Sequence, residues 1–229
     1  MVFIAERIDL SELREFEFGP EGMDVRSEHI DEYIDTITQK VEDEFSEHPD
    51  YHPATLGRES GRKLYFLLLK KKPDIVVETG VCNGFSSAVI LKALDENQNG
   101  RLFSVDLPVS IDEVEEGMGA VIPPGKDSGW VIPDELRDRW TLREGDTYYQ
   151  LPKVFEDLSG GVDIFLHDSG HSYETMMFEF AIAWRHLKEK GLLLADNIDH
   201  SRGFSDFVEA KEVVPYRLGN LGLMKKTRI

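Results

Sequence analysis

Apolar residues along this chain change their period several times, and each change marks an element. Ile30, Tyr33, Ile34, Ile37 and Val41 recur at helical spacing, and the turn-like run HPDYHP follows at 48–53. A second helix is predicted from Glu59 to Lys71, stopped by Pro73. The pattern then contracts to the β-branched run Ile75-Val76-Val77, which suits a parallel strand covered on both faces. Helical periodicity resumes after Gly84 through Ala88, Leu91 and Leu94. Further strands are expected at RLFSVD, WTLRE, VDIFLH and GLLLAD, with helices after Asp146, through Met177, Phe180, Ala181, Trp184 and Leu187, and around 204–211. The tail, VVPYRLGN followed by LGLMKKT, reads as an antiparallel hairpin about a glycine-containing turn. Strands alternating with helices predict an α/β fold, a doubly wound and mostly parallel sheet with an antiparallel C-terminal hairpin. Residues 1–73 form a helical extension, and 74–229 form the main domain. Its stretch 107–139 is rich in Gly and Pro and too long for an ordinary connection, so it is expected to be a lid over the carboxyl edge of the sheet. Trp130 within it either closes on a ligand or packs the loop onto the body.

The junction IVVETGVCNGFSS is where chemistry first enters. Glu78, Gly80 and Gly84 give the spacing E-x-G-x-x-x-G, which is not the G-x-G-x-x-G that cradles a pyrophosphate. A nicotinamide oxidoreductase is thereby disfavoured. Unpaired N–H groups at the helix start, near Ser86, still offer a place for a polar ligand. Twenty-two residues past Gly84, Asp106 ends the second strand, where α/β folds set a carboxylate against ribose hydroxyls. Asp146 opens the helix after the third strand and either caps it or meets a ligand. Asp168 and the pair Asp196-Asn197 end two strands expected to be neighbours, so three oxygen donors converge as a hard-cation site suited to Mg²⁺, Ca²⁺ or Mn²⁺. His171 follows Asp168 by three residues. His167 and His171 do not read as a zinc pair, because His167 ends a strand; His200, four residues after Asp196, reads as a solvated loop residue or as one that reaches the substrate side of the metal.

These motifs resemble the class I S-adenosylmethionine-dependent methyltransferases. Over residues 74–200 the chain is similar to the metal-dependent O-methyltransferases of the catechol and caffeoyl-CoA type, and more so to the sugar and macrolide O-methyltransferases of the Methyltransferase 24 family, with their D-x-x-H-S-Y-E signature. The resemblance implies S-adenosylmethionine contacts from Glu78, Gly80, Asn83, Gly84, Ser86, Asp106, Leu107, Asp146, Thr147 and Asp168. Asp146 would meet the adenine amino group. Asp168, Asp196 and Asn197 match the family's metal ligands, and His171 stands where the catechol enzymes have a lysine base. A histidine of near-neutral pKa there can accept a hydroxyl proton made more acidic by a nearby cation, which makes Asp168 and His171 the catalytic pair.

Charge narrows the acceptor. A formal net charge of -18 over 229 residues repels nucleic acid and anionic membranes, which favours a small hydroxylated molecule. The same acidity suits a protein of high-salt surroundings or simply a soluble acidic surface, and composition does not separate the two. The longest early apolar run, LYFLLL, is too short to span a bilayer, so a cytoplasmic location is expected and no membrane partner; a homo-oligomer is compatible with the pattern. Cys82, the single cysteine, excludes an intrachain disulfide and reads as a packing residue. The rival readings are a metal-free N- or O-methyltransferase, in which the aspartates only shape the pocket, and a non-catalytic S-adenosylmethionine-binding protein.

Overall fold

The computed structural model describes residues 8–17, 23–51, 53, 55–113 and 120–227, with the side chains of 23–27 excepted. Residues 114–119 of the expected lid lie outside the described residues. Helices α1 (Met23–Phe45) and α2 (Arg58–Lys71) precede β1 (Ile75–Thr79), α3 (Phe85–Glu96) and β2 (Arg101–Asp106). After the long connection come β3 (Trp140–Glu144), α4 (Thr147–Asp157), β4 (Val162–His167), α5 (Tyr173–His186), β5 (Leu187–Ala195), α6 (Gly203–Lys211), β6 (Pro215–Leu218) and β7 (Leu221–Lys225). The seven strands lie in the order β3-β2-β1-β4-β5-β7-β6. Only β7 runs antiparallel to its neighbours. The sheet is thus the mixed, doubly wound one that the apolar pattern predicts, hairpin included.

Because successive strand residues face opposite sides, each strand feeds two cores. Val76, Leu102, Ile164, Leu166, Leu192 and Leu194 pack toward α2 and α3. Val77, Val105, Phe165, Leu193 and Ala195 pack toward α4, α5 and α6. Glu78 shares the first face and Thr79 the second, which decides what each can touch. A third cluster joins Val41 and Phe45 of α1 to Ile111, Val121 and Val131 of the connection, so the α1 helix and the insertion brace one another.

Two departures from the sequence pattern have physical causes. Leu187 satisfies both the helical and the strand period, and the chain gives it to β5, where it pairs with Val162 before a register shift. The extension is also not wholly helical. Glu15 bridges Arg217 in parallel, with Arg217 N–H donating to Arg14 O (2.8 Å) and Phe16 N–H to Arg217 O (2.6 Å), so an N-terminal segment covers the open edge of β6.

Candidate active site

Gly80 is the first determinant of the site. It has φ +81°, and a Cβ there would run into the backbone of Asp168, so only glycine lets the turn after β1 pass against the turn after β4. Gly84, at φ +94°, is needed for a different neighbour: an added Cβ would lie 2.6 Å from Cα of Gly129 in the insertion. The insertion is tied to this turn by Gly129 N–H to Cys82 O (2.8 Å), Val131 N–H to Asn83 O (3.2 Å) and the Trp130 indole N–H to Asn83 Oδ1 (2.7 Å). Trp130 therefore packs the loop onto the body. Asn83 is buried and faces the insertion rather than the cleft.

Below the turn, Glu78 is fully buried, and its carboxylate accepts from Ser86 Oγ (2.6 Å), Ser87 Oγ (2.5 Å) and Ser104 Oγ (2.8 Å). Burial without a counter-charge pushes its pKa up to about 7, against the lowering by the three hydroxyls. Asp106 accepts from Val81 N–H (2.8 Å), from Cys82 N–H (3.3 Å) and from the Ser128 hydroxyl. Both acids thus hold the turn in shape. Asp106 also lines the cleft, whereas Glu78 does not. Burial pushes the Cys82 thiol up to about 12, which leaves it protonated and inert.

The cleft above has a volume of about 1220 Å³. That exceeds the range of ~300–1,000 Å³ usual for one ligand, so a cofactor and an acceptor fit side by side. Gly80, Ser86, Asp106, Leu107, Asp146, Thr147, Asp168, His171, Asp196 and Asn197 all line it. Asp146 also caps α4 by accepting from Tyr148 N–H (2.8 Å), a bond that does not take it out of the cleft lining.

At the ends of β4 and β5, Asp168, His171 and Asp196 bring one ligand atom each within 4.8 Å of one another. Burial first, and then the neighbouring carboxylates, raise Asp168 well above the usual carboxylate range, and burial raises Asp196 as well. Two acids that close together share a proton unless a cation replaces it. Burial lowers His171 to about 4, with His167 and His200 adding to the effect, so the ring is neutral rather than poised near its ordinary value. Asn197 donates its amide to His171 Nε2 (3.0 Å), which leaves the ring proton on Nδ1, a buried atom without a hydrogen-bond partner among the described residues. A raised pair of facing carboxyls is an oxygen donor set that fits a hard divalent cation, whereas the protonated Nδ1 has no lone pair to offer one.

The sequence reading missed the support beneath this set. Glu179 of α5 is fully buried and accepts from Thr79 Oγ1 (2.5 Å), His167 Nδ1 (2.7 Å) and Ser169 Oγ (2.7 Å). These contacts hold Glu179 below the usual carboxylate range against its burial. The available signal was a glutamate at the buried period of α5, between Met176 and Ala183. His200 is exposed in the loop after β5, as expected, and also lines the cleft with its ring 5.9 Å from that of His171.

A mixed sheet of this order, with a glycine turn after β1 and acids at the carboxyl edge, defines the Rossmann-like methyltransferase fold. Solved structures agree on the fold. An O-methyltransferase from Bacillus cereus, in complex with S-adenosylhomocysteine, shares 14% identity over 87% of this chain and 97% of that chain, with a TM-score of 0.61. A methyltransferase from Podospora anserina bound to the same ligand shares 13% over 93% and 98%, at 0.59. The O-methyltransferase TomG from Streptomyces achromogenes, involved in tomaymycin synthesis and solved with S-adenosylmethionine, shares 16% over 76% and 82%, at 0.57. No curated protein sequence matches the chain. The family described as a methyltransferase domain matches residues 77–198, more than half of the chain. The chain belongs to that family, and it is a class I, S-adenosylmethionine-dependent methyltransferase. Among the described residues, no helix is long and apolar enough to cross a membrane.

Proposed function

We propose that this protein transfers the methyl group of S-adenosylmethionine to a hydroxyl oxygen of a small molecule, with the help of a divalent cation. The observation that carries the reading is the convergence of Asp168, His171 and Asp196 in a cleft that the glycine turn and Asp106 also line. In this reading S-adenosylmethionine supplies the electrophilic methyl. Gly80, Ser86, Asp106, Leu107, Asp146 and Thr147 line its part of the cleft. Glu78, Asn83 and Gly84 act indirectly, by fixing the turn.

Asp168 and Asp196 would hold the cation with the amide oxygen of Asn197, Mg²⁺ suiting such oxygens best and Mn²⁺ or Ca²⁺ being alternatives. Once bound, the ion supplies a Lewis acid that makes the acceptor hydroxyl more acidic. His171, neutral and so able to accept, takes the proton at Nε2 in exchange for the hydrogen bond that Asn197 donates there. Glu179 and His167 keep this end rigid, and the walls hold oxygen and methyl in line, so most of the rate comes from positioning.

The names of the structural relatives support transfer to oxygen. Thermal unfolding tests the cofactor assignment, because a ligand that binds only the folded chain raises its stability. S-adenosylhomocysteine is expected to raise Tm and NAD to leave it unchanged; the reverse result rejects the assignment.

A further inference from the structure

The acceptor side of the cleft holds one feature that the reaction does not use. Arg217 is the only lysine or arginine among the described residues lining the cleft, which otherwise presents Asp106, Asp146, Asp168, Asp196 and Asp199. Its guanidinium forms no ion pair with any described carboxylate. Nε and Nη2 donate to the backbone carbonyl of Leu10, at 3.3 and 2.9 Å. Of the five N–H donors of a guanidinium, the rest have no partner among the described residues. The main chain of Arg217 is fixed as well, by its bonds to Arg14 and Phe16. A cationic fork held in this way is organised in advance for a planar or tetrahedral anion.

Strand register places it relative to the reacting end. His167 pairs with Ala195, Ala195 with Gly222, and Gly222 with Arg217, so these residues stand level across β4, β5, β7 and β6. Asp168 and Asp196 follow that level by one residue. Two strand spacings separate Arg217 from Ala195, about 10 Å between Cα atoms. The cofactor's expected contacts, Gly80, Asp106 and Asp146, follow β1, β2 and β3 on the other side of β4. Arg217 therefore belongs to the acceptor's part of the cleft.

We propose that Arg217 binds an anionic group of the acceptor, a carboxylate or a phosphate, carried on the order of 10 Å or less from the hydroxyl that is methylated. The substrate class is then a hydroxylated acid rather than a neutral alcohol or phenol. The surrounding aspartates sharpen the choice, since an anion that cannot reach the fork meets only like charge. This proposal rests on the methyltransferase reading, and its test keeps the two apart.

Protein loaded with S-adenosylhomocysteine and Mg²⁺ is titrated calorimetrically with matched probes. One pair is 3,4-dihydroxybenzoate and 3,4-dihydroxybenzamide; the other is 4-(2-hydroxyethyl)phenyl phosphate and its neutral parent alcohol. At least one anionic member is expected to bind tenfold or more tightly than its neutral partner, and the pair that shows the preference tells carboxylate from phosphate. Arg217→Gln should abolish the preference and Arg217→Lys should keep part of it, both with unchanged affinity for S-adenosylhomocysteine, which also certifies that the variants fold. Equal or better binding of the neutral members, no binding of either anion, or a preference that survives Arg217→Gln overturns the proposal. Failure of S-adenosylhomocysteine to bind wild-type protein refutes the proposed function instead.

Discussion

Two acidic clusters stand side by side at the carboxyl edge of the sheet, and they are satisfied in opposite ways. Under the glycine turn, Glu78 receives three serine hydroxyls, and Asp106 receives two backbone N–H groups and the Ser128 hydroxyl. At the ends of β4 and β5, Asp168 and Asp196 have chiefly one another, and His171 Nδ1 has no described partner. The first cluster is satisfied from within the chain and acts as scaffold. The second leaves its donors for something the chain does not supply. A carboxylate's place in a motif therefore does not reveal its work; the hydrogen-bond donors around it do.

The contrast breaks first at Asp196. Asp196→Ala is expected to remove metal uptake and bring methyl transfer to background, while calorimetry finds the affinity for S-adenosylhomocysteine within a few-fold of wild type. Loss of cofactor binding alongside the metal would mean that the two clusters do not act separately. His171→Ala should lower kcat by on the order of 10² while the ion still binds. An unchanged kcat would strip the ring of its role as base.

Gly80 joins the two clusters, since its missing Cβ leaves room for the Asp168 backbone. Gly80→Ala should cost ~3–5 kcal/mol in urea unfolding, because backbone strain and collision add. Gly125→Ala has a similar φ of +74° with nothing within 4 Å, and should cost only the strain, ~1 kcal/mol. Equal losses would deny the close passage of the two turns.

A further effect, smaller than that of Gly80→Ala, is a pH dependence from Glu78. Its folded pKa of about 7 lies above the ordinary 4.5, so the folded chain holds a proton that the unfolded chain releases between those values. Its contribution is fully present below pH 4.5 and is lost as pH rises through about 7, with an upper bound on the order of 3 kcal/mol. Glu78→Gln should flatten that decline when ligand-free protein is unfolded in urea at pH 5 and pH 8. A decline of unchanged size would assign it to other groups.

Much of this architecture was legible because it is local. The β-branched run before Gly80, the helical period after Gly84 and the spacing from Asp168 to His171 each lie within a few residues, and the structure keeps them as strand, helix and turn. What was illegible joins distant segments. Thr79 meets Glu179 across 100 positions, Ser128 leaves a Gly/Pro-rich stretch to reach Asp106, and residues 14–16 run along Arg217. No local period encodes such pairings. The same limit explains why Glu78 and Asn83 were grouped with the cofactor contacts: their positions were readable, but the serines and the indole that occupy them were not.

The central claim is that Asp168 and Asp196 await a divalent cation beside a bound cofactor. Calorimetric titration of Mn²⁺ into protein loaded with S-adenosylhomocysteine tests it without knowledge of the acceptor. The account predicts uptake of one ion per chain by wild type and none by the double variant Asp168→Asn, Asp196→Asn, with the cofactor bound in both. Absence of uptake by the wild-type protein, or equal uptake by the double variant, would contradict it.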